Sequence, residues 1–277
     1  MVDLHTLWPA VGFLAGFCAG GINVVVGAGT LVSFPLLLVA GFPPLTATIA
    51  NTVGIVPGSA SGVVVYRNEL RTRRATVALL LPASSAGGVV GALLLLGFPS
   101  SVFTAVVPWL VGLGTLLVLL GPSIRRAVAA RDMTSGAAPT RQSSTTPFDG
   151  PAPAFSGCAT TAAGIVGAFV LGIYGGYFSA AQGILLIGFL GIISRLEMQD
   201  LNAIKNLTVL GVNVIAAAVF VVVSPSLIDW PLVACIAVGA AFGGGIGGRF
   251  AKRLSPAFLR GFVVIVGVGT SLFMLVR

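Results

Sequence analysis

Residues 20–52 carry no charged side chain, are rich in glycine and are interrupted by proline. Their apolar runs fall short of the roughly 20 residues that one α-helix needs to cross a bilayer. A helix that stops at membrane depth leaves backbone N–H and C=O groups bare. Lipid cannot satisfy them, so such a break survives only inside protein or beside a water-filled cavity. The stretch must therefore be surrounded by the rest of the chain. A weaker echo stands at residues 174–208.

The rest of the chain is suited to surround it. Charged residues make up 8% and hydrophobic residues 56% of the sequence, against about 25% charged in soluble domains. Lipid must be the solvent for most of this surface. Continuous apolar runs such as residues 77–96 exclude the alternating pattern of a membrane barrel. The fold class is an all-α polytopic membrane protein, as expected of a multi-pass protein of a bacterial or archaeal plasma membrane. Cys18, Cys158 and Cys235 have no paired spacing and read as small apolar residues, two in helices and Cys158 in a linker. The N-terminus lacks the basic segment of a cleaved signal, so the first helix is expected to stay.

The basic residues orient the chain. Arg67, Arg71, Arg73 and Arg74 form one group, Arg125, Arg126, Arg131 and Arg141 a second, Arg249, Lys252, Arg253 and Arg260 a third. These groups explain most of the +8 net charge as cytoplasmic loops rather than as a nucleic-acid surface. A broken unit at 7–42 then ends outside, followed by spans at 45–66 (kinked at Pro57-Gly58), 75–97 and 101–120. A second broken unit at 160–193 ends inside, followed by spans at 198–223, 231–248 and 261–276. The halves have opposite orientation, the inverted-repeat plan common in secondary transporters. The expected organisation is an N-terminal repeat at 1–121, a flexible cytoplasmic linker at 122–158 and a C-terminal repeat at 159–277. Arg277, expected outside, disagrees with the charge rule. Two arms of about 15 residues reach about 22 Å each, short of an apolar core of about 30 Å. Each broken unit is thus a re-entrant hairpin or a pair of short crossing helices.

Placing Gly29 on Gly183 aligns Gly21 with Gly175 and, with one insertion, Asn51 with Asn206. The run Ser-Phe-Pro-Leu-Leu, the Gly-Phe-Pro-Pro turn, Ala-Thr-Ile-Ala-Asn-Thr, and Gly-Ile-Tyr-Gly-Gly-Tyr-Phe-Ser-Ala-Ala-Gln-Gly in the second half resemble the sulfite exporter TauE/SafE family, also called toluene sulfonate uptake permeases. The resemblance spans nearly the whole chain outside the linker. It implies transport of sulfur-containing anions such as sulfite, sulfoacetate, thiosulfate or other sulfonates. The family's common Gly-Gly-Gly tip is replaced here by Gly27-Ala28-Gly29 and Ala181-Gln182-Gly183.

Glycines at a helix break let backbone approach a ligand, and the restarting helix offers N–H groups and a positive dipole end to an oxyanion. Gly27, Ala28, Gly29 and Thr30, facing Ala181, Gln182, Gly183 and Ile184, are the candidate anion-binding tips; the alternative is glycine for close helix packing. Lys205 stands in an apolar span, where its charge costs about 3 kcal/mol near the bilayer centre. It is either the anion's attractor or snorkels to the interface. Asn51 and Asn206 could donate amide hydrogens or bond between helices. Asn23, Ser33, Thr48, Thr52, Tyr174, Tyr177, Ser179 and Thr208 are lesser candidates.

No carboxylate lies deep in an expected span, so a carboxylate proton relay is not evident. An inside-negative potential alone drives anions outward, which favours export by alternating access. An anion channel and an uptake permease are the alternatives. No nucleophile–base set or metal motif in the spans suggests an enzyme, and no cofactor is expected. The expected partners are a small anion and the bilayer, and a homodimer is one assembly open to such a chain.

Overall fold

The computed structural model describes residues 8–134, 154–155, 157–194, 196–250 and 256–276. Regular structure among them is helical. The first half comprises α1 (Trp8–Val25), α2 (Thr30–Val39), α3 (Pro44–Gly54), α4 (Val56–Val65), α5 (Arg67–Thr72), α6 (Arg74–Gly97) and α7 (Ser100–Thr134). The second comprises α8 (Cys158–Tyr177), α9 (Gln182–Ile193), α10 (Met198–Val223), a 3-10 turn at Pro225–Leu227, α11 (Trp230–Phe250) and α12 (Pro256–Val276). Among the described residues, five segments are long and apolar enough to cross a membrane: Pro44–Val65, Arg74–Gly97, Ser100–Gly121, Cys158–Tyr177 and Met198–Val223. The protein is an all-α polytopic membrane protein.

Both broken units are hairpins with unequal arms, which corrects the expectation of two equal ones. Helices α1 and α2 have 18 and 10 residues, and α8 and α9 have 20 and 12. At 1.5 Å per residue, each hairpin pairs an arm of about 27–30 Å with one of about 15–18 Å. The rings of Trp8 and Phe42 meet edge to face with centroids 6.5 Å apart. The start of α1 and the end of α2 therefore lie together, and the first unit doubles back on itself. In the second unit, Phe155 ahead of α8 shares a buried cluster with Leu190 of α9.

Other boundaries differ locally from the sequence reading. The span expected at 45–66 breaks at Ile55, between α3 and α4, because Pro57 lacks an N–H and its ring crowds the carbonyl four residues back. The first basic loop contains the short helix α5. Helix α7 runs into the segment expected as linker, and Cys158 opens α8 and is exposed. Residues 135–153 and 156 of the expected linker, residues 251–255 of the last basic loop, Arg195 and Arg277 lie outside the described residues.

The two halves pack reciprocally. Helix α1 lies along α11 and α8 along α6; α4 meets α11 as α10 meets α6; α2 meets α12 as α9 meets α7. Glycine makes the two main seams close. Gly16 and Gly20 rest on the backbone of Ile236 and Ala240, while Gly239 and Gly243 rest on Phe13 and Phe17. In the matching seam Gly87 and Gly91 rest on Phe169 and Ile173, and Gly172 and Gly176 on Ser84 and Gly88. Lipid tails are as apolar as leucine, so helices associate here through close van der Waals contact rather than hydrophobic drive. Substituting Gly172→Leu should lower stability by about 1–3 kcal/mol, the usual cost of overpacking. Gly97→Ala, which meets nothing within 4 Å, should stay within about 0.5 kcal/mol. Thermal unfolding of both variants in detergent checks this pair.

Candidate anion-binding site

Each hairpin reverses through left-handed backbone. After α1 the amides of Val26 and Gly27 fold back on the Ile22 carbonyl at 2.8 and 3.2 Å, and Gly27 takes φ +83°, a conformation that suits glycine. After α8 the amides of Phe178 and Ser179 fold back on the Tyr174 carbonyl at 3.0 and 3.4 Å. Here the left-handed positions fall on Ser179 and Ala181, at φ 61° and 58°. Such backbone costs about 1 kcal/mol or more per non-glycine residue, and it collects at functional sites.

The two reversals touch. A Cβ on Gly27 would lie 3.0 Å from the Cα of Gly183, and a Cβ on Gly183 would lie 2.9 Å from the Cα of Gly27. The methylene chain of Lys205 lies over both, its Cδ 3.3 and 3.0 Å from those two positions. The side chain is 1% exposed, and its ammonium donates to the carbonyls of Asn23 and Val24 at 3.3 and 3.4 Å. Those carbonyls are the negative end of α1, a favourable seat for a cation. The amides of Gln182 and Gly183 open α9 here, ahead of the bonds that Ile184 and Leu185 make to the Ala181 carbonyl at 3.0 and 3.2 Å. A buried cation and two helix breaks thus occupy one place. Gly29 is elsewhere: it packs on Ala19 of α1, so the contact pairs Gly27, not Gly29, with Gly183. Ala28 is buried within the first reversal.

The paired asparagines behave differently. Asn51 accepts from Ser33 Oγ at 2.6 Å and donates to Thr30 Oγ1 at 3.2 Å, tying α3 to α2. The positions aligned with Thr30 and Ser33 are Ile184 and Ile187, which can offer Asn206 nothing. Asn206 instead lies against Gly62, and its Nδ2 is buried without a partner. Gln182 is fully buried with neither amide atom bonded. Among the lesser candidates, Asn23 donates to Ser59 at 3.1 Å and Thr48 bonds back to Pro44 at 3.0 Å. Sequence reasoning passed over Asn213, which accepts from Ser179 Oγ at 3.0 Å. The signal was its place seven residues after Asn206, on the same face of α10.

An aromatic cluster and an ion pair stand on the elements that carry the site. Phe34, Phe103 and Phe178 are buried, with centroids 5.3 Å apart for Phe34–Phe178 and 6.3 Å for Phe103–Phe178. At the start of α10, Asp200 accepts from Arg73 at 2.8 Å, both side chains largely buried. This ion pair joins the first half to the second.

The family profile of the sulfite exporter TauE/SafE matches residues 12–274. The chain belongs to the sulfite exporter TauE/SafE family. Its relatives carry compatible names. A "Probable membrane transporter protein ORF9" of Sinorhizobium sp is 26% identical over 99% of this chain and 95% of its own length. A "Probable membrane transporter protein YfcA" of Escherichia coli (strain K12) is 27% identical over 92% of this chain and 84% of its own. No solved structure gives a significant match. The TauE/SafE member described here is a membrane transporter. No group of three potential metal-ligating His, Cys, Asp or Glu side chains occurs among its described residues.

Proposed function

We propose that the protein exports small sulfur-containing anions, such as sulfite, thiosulfate, sulfoacetate or related organosulfonates, by alternating access. The carrying observation is Lys205, a buried cation laid across the contact of two helix breaks. An anion in that place meets the ammonium and the N-terminal end of α9, both of which favour negative charge. Two re-entrant hairpins in an inverted repeat would bring these breaks together from opposite faces, and the reciprocal packing of α1 on α11 and α8 on α6 supports that reading. The touching glycines favour a carrier over an open channel. The phenylalanine layer and the Arg73–Asp200 pair are the natural gates on either side. Export of one negative charge is driven by about 2.3 kcal/mol per 100 mV of inside-negative potential.

The test is flux of radiolabelled sulfite, thiosulfate and sulfoacetate in proteoliposomes, with and without an imposed potential. Saturable flux that grows with an inside-negative potential is expected. No flux of any of these anions would sink the substrate assignment, and non-saturating conductance would make the protein a channel.

A further inference from the structure

The polar groups around the second hairpin are unmet where those of the first are satisfied. Thr30, Ser33 and Asn51 bond to one another. In the second half both ends of the Gln182 amide, Nδ2 of Asn213 and the hydroxyl of Tyr174 are buried without partners. They stand on the second hairpin and on α10, which its loop contacts. The Gln182 amide abuts Gly175, the residue after Tyr174, and would collide with any Cβ there. Ser179 ties Asn213 to the loop that ends at Gln182. Because neither Gln182 atom is bonded, exchanging its oxygen and nitrogen leaves the same need. Buried groups of this kind call for a partner, and at a transport site the partner can arrive with the substrate.

Gln182 presents a donor group, its NH2, and an acceptor, its carbonyl oxygen. A fully deprotonated oxyanion carries only acceptors. Its oxygens can accept from the amide nitrogens, but they repel the Gln182 carbonyl. An O–H beside the anionic oxygens resolves the conflict. We propose that Gln182 and Asn213 form a donor-and-acceptor subsite that reads a hydroxyl on the transported anion, so that hydrogen sulfite or a hydroxyalkanesulfonate is favoured over its hydroxyl-free counterpart. This rests on the anion-transport reading above. Asn213 Nδ2 donates to the hydroxyl oxygen or a neighbouring oxygen, and the Gln182 carbonyl accepts the hydroxyl proton. Gln182 sets specificity because it stands where the resembled family pattern has a glycine, which offers no side chain.

The experiment measures uptake of labelled sulfite into proteoliposomes against unlabelled 2-hydroxyethanesulfonate and ethanesulfonate, which differ by one hydroxyl. The wild type should be inhibited about tenfold more strongly by the hydroxylated compound, the scale of one good hydrogen bond in a desolvated site. Gln182→Leu should bring that ratio to about one, with Gln182→Met as the second variant should leucine fold poorly. In a parallel arm, sulfite flux should fall as rising pH removes the proton from hydrogen sulfite, and the variant should flatten that profile. A response confined to one arm assigns the hydroxyl to the carbon chain or to the anion itself. Equal inhibition by the two sulfonates together with pH-independent flux in the wild type overturns the subsite while leaving transport intact. No sulfite flux at all overturns the transport reading and the subsite with it.

Discussion

Replacing Lys205 with methionine stops anion flux and leaves the protein at least as stable as before. The two outcomes separate because the lysine does opposite things in the two ledgers. Its charge costs about 3 kcal/mol at membrane depth. Its bonds to Asn23 and Val24 are long, at 3.3 and 3.4 Å, against about 2.9–3.0 Å for a typical N–H···O bond. Methionine has a similar length and fills the same path across Gly27 and Gly183 without the desolvation penalty. Substrate binding, by contrast, loses a desolvated charge contact worth about 2–5 kcal/mol. At tenfold per 1.4 kcal/mol, affinity falls at least about thirtyfold. Lys205→Arg keeps the charge and should retain part of the flux. The measurement is sulfite flux in proteoliposomes beside the sulfite-induced shift in unfolding temperature. A structural lysine would give the reverse: an unstable Lys205→Met variant whose remaining folded fraction binds sulfite normally.

The membrane fold and the two helix breaks were legible because lipid leaves few options. Long charge-free runs must be helices, and glycine with proline inside them must interrupt those helices. Lys205 was legible for the same reason, since an ammonium in an apolar span is costly enough to demand an explanation. What could not be read was how each break is built. The hairpin arms are unequal because the reversal falls where left-handed backbone is available, at Gly27, Ser179 and Ala181, and two of these are not glycine. The helix break at Ile55 follows from Pro57, but only packing decides whether a proline kinks a span or splits it. The difference between Asn51 and Asn206 was hidden in isoleucines. Ile184 and Ile187 look like ordinary core residues, and their meaning comes from the hydroxyls of Thr30 and Ser33 that they replace. Asn213 was overlooked because a single asparagine in a long apolar helix resembles interhelical glue until its partner, Ser179, is known.

Gly183→Ala should open the contact between the hairpins. Its Cβ would lie 2.9 Å from the Cα and 3.0 Å from the carbonyl oxygen of Gly27, so the two reversals must separate. No strained backbone at Gly183 itself confuses the result. The touching state loses about 1–3 kcal/mol, the scale of overpacking in a close-packed interior. If access alternates, that penalty falls on the closed arrangement and raises the share of open ones, because 1.4 kcal/mol shifts such an equilibrium tenfold. Labelling reads this directly. In a background without native cysteines, Ser33→Cys places a thiol at a position that is 0% exposed. It should react at least about fivefold faster with a small aqueous thiol reagent once Gly183→Ala is added. Gly27→Ala adds left-handed strain at φ +83° to the same collision, so it should label faster still and move less sulfite. Gly29→Ala separates gating from mere damage. Its Cβ strikes Ala19 within its own hairpin, so it should lower the unfolding temperature without speeding the reaction of Ser33→Cys in folded protein. Equal labelling rates with and without Gly183→Ala, at unchanged flux, would mean that the Gly27–Gly183 contact stays shut throughout transport and that the anion passes elsewhere.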